Sequence, residues 1–186
     1  MLITNTALPG LLVVEPFASA DARGSFVKTF YEEGFASRGL VTQFAEEYYS
    51  DSKRRVLRGM HFQVPPHEHT KIVYCVSGAV TDALIDLRIG SPSYGQAAVF
   101  ELDASRPRML YIPPGLAHGF FVRSQSAVLL YKVTSAYSRE HDGGVLWSSV
   151  PVAWPDAEPI LSDRDRAFPA LSDFDSPFSY RPEGSR

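Results

Sequence analysis

Short apolar runs alternate with clusters of Gly, Pro, Asp and Ser along most of the chain. Leu11-Leu12-Val13-Val14 follows Pro9-Gly10 and reads as a first strand. Phe26–Tyr31 is a second, and residues 32–38 form a short helix ended by Gly39. Phe44–Ser50 and Val56–Gln63 read as strands around the basic turn Lys53-Arg54-Arg55. The clearest signal is Lys71-Ile-Val-Tyr-Cys-Val76, then Ser77-Gly78, then Ala79–Leu87, which predicts a β-hairpin around a glycine turn. Ser91-Pro92 and Tyr94-Gly95 mark another turn. Strands follow at Ala97–Leu102, Met109–Ile112, Gly119–Val122 and Ala127–Tyr137. Turn signals spaced roughly eight to twelve residues apart specify an all-β barrel or jelly roll with short peripheral helices. The Pro- and Asp-rich chain from about residue 140 onward is expected to wrap that barrel, so residues 1–186 form one domain.

Composition changes this picture little. Hydrophobic residues make up 45%, charged residues 21% and aromatics 12%, as in a globular domain with a sizeable core. A net charge of -3 gives no footprint for nucleic acid. The one basic cluster, Lys53-Arg54-Arg55 with Arg58, reads as a solvated turn whose end is free to hold a phosphate. Cys75 is the only cysteine, so no intrachain disulfide forms, and it sits in an apolar run as a small buried side chain. The first residues lack the basic start and apolar core of a secretion signal, and no window reaches the roughly 20 apolar residues of a membrane span. The expectation is a cytoplasmic protein that does not engage a membrane.

Residues 56–74, VLRGMHFQVPPHEHTKIVY, concentrate the candidate chemistry. His67-x-His69, with His118 in Pro113-Pro-Gly-Leu-Ala-His118, has the spacing of a metal site. No Glu follows His69 as metal-binding jelly rolls require, and protonated Lys71 beside it would repel a dication. The same stretch also admits an acid–base reading. Arg58, His61 and Gln63 can converge on a barrel mouth, where Gly59 lets the backbone bend. Tyr131 shares one strand face with Leu129 and Val133. A His, a Lys and a Tyr around an apolar pocket suit proton abstraction beside a carbonyl. Taken singly, His61 also reads as a structural histidine, Lys71 as a solvated one and Tyr131 as a core aromatic.

Val56-Leu-Arg-Gly-Met-His-Phe-Gln63 resembles the signature of the dTDP-4-dehydrorhamnose 3,5-epimerase family. Five further segments match in order: Asp21–Phe26, Asp86–Gly95, Ile112–Phe120, Tyr131-Lys132 and Leu161–Asp165. The resemblance spans roughly residues 10–170. It implies a metal-free cupin jelly roll (a double-stranded β-helix), a homodimer, no cofactor, and a nucleoside-diphosphate 4-keto-6-deoxy sugar as substrate, epimerised at C3, C5 or both through an enolate. It implies His61 as base, Asp165 as the carboxylate that orients it with Asp163 as the fallback, Tyr131 as the acid on the opposite sugar face, and Lys71 near the keto oxygen. Arg23 matches the arginine that grips the diphosphate, and Phe26 lies in the same motif. Arg58, Gln63 and His118 match polar pocket residues, and His69 becomes part of the pocket wall.

The sequence departs from the family where the nucleoside base is read. Lys28, Glu46 and Tyr48 replace the residues usual in the dTDP enzymes, and Pro65-Pro-His-Glu-His-Thr-Lys71 replaces a Gln-containing loop. These segments resemble a branch acting on GDP- or CDP-linked 4-keto sugars, 6-deoxy-heptoses included. A carboxylate at 46 suits the N1–H and amino donors of guanine, which thymine lacks. Two other classes are weighed beside the epimerase: a metal-dependent cupin enzyme (a sugar isomerase or dioxygenase), and a non-catalytic sugar-nucleotide binder, which would not need His61, Asp165 and Tyr131 together.

Overall fold

The computed structural model describes residues 1–182; residues 183–186 of the expected domain lie outside the described residues. The strands are β1 (Leu2–Asn5), β2 (Leu12–Glu15), β3 (Phe17–Asp21), β4 (Gly24–Lys28), β5 (Glu46–Lys53), β6 (Leu57–Gln63), β7 (Lys71–Ser77), β8 (Ala79–Asp86), β9 (Ala97–Asp103), β10 (Met109–Ile112), β11 (Leu116–Val122), β12 (Ser126–Val133) and β13 (Asp142–Gly144). Two short helices, α1 (Glu32–Ala36) and α2 (Asp163–Arg166), and two single 3-10 turns complete the described chain. One sheet runs β1-β2-β10-β7-β12-β5, and a second runs β13-β6-β11-β8-β9. All pairings in both are antiparallel. The jelly roll expected from the turn spacing is the fold observed.

Alternation builds the core between these sheets. Leu129, Tyr131 and Val133 of β12 are buried, with Val128, Leu130 and Lys132 between them turned toward solvent. Leu129 and Tyr131 meet Leu84, Leu116 and Phe120 from the other sheet in one apolar cluster. Each fully buried Leu or Phe contributes about 1.5–3 kcal/mol relative to exposure. A second cluster joins Met60 and Phe62 to Val145, Val150 and Phe178 of the C-terminal chain. That chain also bridges the barrel in parallel at Val56–Ile160 and Ile89–Ser179.

Several element boundaries differ from expectation. The strand read as Phe26–Tyr31 is instead the second arm of an exposed hairpin, β3–β4, whose first arm carries only Phe17 and small or polar residues. The strand read at Ala127–Tyr137 stops at Val133, where β5 ends its pairing. The strand expected from Gly119 begins at Leu116, directly after Gly115 with φ of 84°, so His118 stands on a strand rather than in a turn. The segment Asp86–Gly95 closes a loop: buried Asp86 accepts hydrogen bonds from Arg88, Ser91 and Ser93. Lys53 and Arg54 are exposed and Cys75 is buried. Among the described residues no helix is long and apolar enough to cross a membrane.

Candidate active site

The site begins with an irregularity in β6. Four residues, Arg58 to His61, run opposite three on β11, Phe120 to His118. Strict two-residue alternation would send Arg58 and His61 to opposite faces. The bulge puts both on the wall of one cavity of about 210 Å³, which His118 and Phe120 also line. Gly59 makes this geometry, with φ of 150° and a side-chain position only 2.5 Å from the Cα of Gly119. Met60 and Phe62 turn into the second core cluster, which anchors the strand.

His61 Nε2 lies 2.9 Å from Asp165 Oδ1. Asp165 is buried on α2; its other oxygen accepts the Gly59 amide at 3.2 Å, and its own amide donates to the capping Ser162 hydroxyl. Burial raises Asp165, yet the bond and charge of His61 and the Gly59 amide outweigh it and hold the carboxyl at about 2. Asp163 is fully exposed and pairs with Arg166, so the carboxylate beside His61 is Asp165. Burial pushes His61 below its ordinary value, and Arg164 and Lys71 act in the same direction against Asp165.

Tyr131 comes from the opposite sheet and lines the same 210 Å³ cavity as His61 and Lys71. Its hydroxyl is 3.2 Å from Ser50 Oγ, its ring stacks on Tyr48 at 5.0 Å, and burial raises its pKa. Burial also takes Tyr48 up to about 12 and Lys71 down to about 8. His118 Nε2 bonds Asp82 Oδ2 at 2.8 Å, and burial raises Asp82. An adjoining cavity of about 360 Å³ shares Tyr48, His61 and Lys71 and adds Glu46, Gln63 and His69. Glu46 Oε1 accepts the Tyr137 amide, and Gln63 spans the Ser138 amide, the His67 carbonyl and His69 Nδ1. Burial takes His69 to about 3.

The three histidines of the metal-like pattern face different partners. His67 stacks on His141, His69 meets Gln63 and Ser135, and His118 meets Asp82. Ten of the expected site residues therefore gather around the two cavities or, for Asp165, directly behind His61. Arg23 and Phe26 do not. Both sit on the exposed β3–β4 hairpin, where among the described residues Arg23 pairs only with Asp21.

Sequence reading passed over three residues. Arg164 lines both cavities, ion-pairs with Asp142 and stands 3.0 Å from His61 Nε2. Asp142 lines the larger cavity from β13. Asp82 carried a signal, as a lone carboxylate amid Val80-Thr81-Asp82-Ala83-Leu84. Arg164 lies inside the matched segment Leu161–Asp165, where only the carboxylates were weighed, and Asp142 lies in a charged surface-like stretch and carried none.

Fold and site together define a cupin-type jelly roll with an imidazole–carboxylate pair and a phenol on facing walls of one cavity. The sequence matches the family model described as dTDP-4-dehydrorhamnose 3,5-epimerase over residues 5–173. It is 39% identical to the dTDP-4-dehydrorhamnose 3,5-epimerase of Shigella flexneri over 168 residues, covering 89% of this chain and 93% of that one. The structure is similar to the dTDP-6-deoxy-D-glucose-3,5-epimerase of Legionella pneumophila, solved with dTDP-4-keto-L-rhamnose, with a TM-score of 0.91, 32% identity, and 97% and 98% of the chains covered. It is also similar to a 3'-monoepimerase from Streptomyces bikiniensis in complex with dTDP-quinovose, with a TM-score of 0.84, 33% identity, and 90% and 86% covered. The chain belongs to the dTDP-4-dehydrorhamnose 3,5-epimerase family.

Proposed function

We propose that the protein epimerises a nucleoside-diphosphate 4-keto-6-deoxy sugar at C3, C5 or both. The C4 ketone acidifies the neighbouring C–H bonds. His61 takes the proton, and the C–H electron pair becomes the enolate double bond with its charge on the C4 oxygen. Lys71 stabilises that oxygen, with His118 beside it. Tyr131 donates its hydroxyl proton to the opposite face of the carbon, which inverts it, and solvent restores both groups. The observation that carries this reading is that His61 and Tyr131 stand on facing sheets around one cavity. Inversion requires an acceptor and a donor on opposite faces of the substrate carbon. The lowered pKa of His61 favours its basic form at neutral pH, and the raised pKa of Tyr131 keeps it a donor.

Arg58 and Arg164 supply positive charge for the diphosphate. Glu46, with one oxygen committed to the Tyr137 amide, offers the other as an acceptor that favours guanine over thymine. Arg23 and Phe26 act across a homodimer: the hairpin of one copy reaches the cavity of the other. Its exposed Phe17 and Phe26 are the apolar surface such an interface would cover.

The test is deuterium exchange in D2O with dTDP-, GDP- and CDP-linked 4-keto-6-deoxy sugars, followed at C3 and C5 by NMR. Exchange is expected with the native protein and absent in His61→Asn, whose circular dichroism stays native. No exchange with any of the three sugars rejects the epimerase.

A further inference from the structure

One nitrogen of His61 has two partners that make opposite demands. Nε2 lies 2.9 Å from Asp165 Oδ1 and 3.0 Å from Arg164 Nη2. An imidazole nitrogen presents in its plane either one N–H or one lone pair. Asp165, held ionised, only accepts, so its bond needs the hydrogen on Nε2. A guanidinium only donates, so the Arg164 bond needs Nε2 bare and, in the neutral ring, the hydrogen on Nδ1. The two bonds belong to two tautomers. His61 Nδ1 has no hydrogen-bond partner among the described residues and is the nitrogen left for substrate. Only the Asp165-bonded tautomer offers a lone pair there.

Arg164 is placed to leave. Its side chain is 49% exposed, it lies over the Phe168 ring at 5.6 Å, and its Nε contact to Asp165 is long, at 3.5 Å. The ion pair with Asp142 is its firmest hold. It lines both substrate-sized cavities and a third at Asp165, so an anion entering from any of them meets it. Arg58 and Lys71 draw such an anion to the same place.

We propose that Arg164 is a positioning residue that sets the tautomer of His61. Docked on Nε2, it keeps the ring's hydrogen on Nδ1. When a diphosphate takes the guanidinium, Nε2–H turns to Asp165 and Nδ1 becomes a proton acceptor, the hydrogen exchanging through solvent. The base is then competent only while a diphosphate-bearing ligand occupies the cavity. This inference rests on the reading of His61 as the base.

Long-range 15N–1H NMR of histidine-labelled protein tests it at about pH 7.5, where a histidine of lowered pKa is neutral. His61 is assigned by its absence from His61→Asn. Without ligand, Nε2 is expected to show the bare-nitrogen shift and Nδ1 the N–H shift, and inorganic pyrophosphate is expected to reverse the two. Arg164→Met should show the reversed pattern from the start and ignore pyrophosphate. Arg164→Lys should regain part of the response, because it keeps the charge and one donor. A native His61 with hydrogen on Nε2 at every pyrophosphate concentration overturns the proposal, as does an Arg164→Met protein with the unliganded native pattern. The measurement contains no sugar. A tautomer switch without exchange at C3 or C5 rejects the epimerase alone, and exchange with a fixed tautomer rejects the Arg164 role alone.

Discussion

At the residue scale, the site's acids and bases are set by burial opposed by partners. Proton abstraction requires neutral His61, whose pKa lies below the ordinary 6.5, so the acidic limb of exchange should fall below pH 6.5. Enolate stabilisation requires protonated Lys71, and burial has brought its pKa down to about 8. Activity should therefore fall above about pH 8, giving a bell whose alkaline limb disappears in Lys71→Met; an alkaline limb unchanged in that variant assigns it elsewhere. Glu46→Gln replaces an acceptor-only carboxylate with an amide that also donates. The proposed preference for GDP over dTDP, measured by calorimetry, should shrink about tenfold. A native protein that prefers dTDP removes Glu46 from base selection. His61 and Lys71 were legible because they stand in a dense local motif, and Tyr131 because its own segment matches the family. Arg164 and Asp142 were not, because a charged residue in a charged surface stretch looks the same whether or not it borders a cavity.

At the element scale, one bulge decides the site. The sequence identified β6 as a strand, Gly59 as a place for the chain to bend, and Arg58 and His61 as able to converge on a barrel mouth, but not the bulge that lets them share a wall. That depends on β11 supplying three residues against four. Gly59→Ala puts a methyl group 2.5 Å from the Gly119 backbone at a φ that L residues avoid. It should cost about 2 kcal/mol or more, about 4–8 °C in Tm by calorimetry, and reduce exchange with it. A variant of native Tm would mean the bulge tolerates a side chain. The four-residue α2 is a second case. Alone, so short a helix is marginal. Here Ser162 caps it and Asp165 ties it to the Gly59 amide, so its position is set by the strand it serves.

At the scale of the whole molecule, two facing sheets deliver His61 and Tyr131 to one cavity and leave the β3–β4 hairpin outside it. If Arg23 acts in a partner's cavity, light scattering should give twice the chain mass. Mixing Arg23→Ala with His61→Asn should then restore exchange, since one site of each heterodimer keeps both residues. A monomer, or no recovery on mixing and refolding, defeats that arrangement.

Alternation of apolar and polar residues, punctuated by turns, was enough to determine a β jelly roll, because each strand's buried face is a local property of its own residues. The motif around His61 admitted proton-transfer chemistry beside a metal reading, and its resemblance to the epimerase family favoured the former. What the tertiary structure decided was the choice of Asp165 over Asp163 beside His61, the Asp82 bond to His118, the intrusion of Arg164, and the absence of Arg23 from its own cavity. Those contacts join residues far apart in the chain, and their geometry follows from sheet register and from a bulge that no single segment encodes.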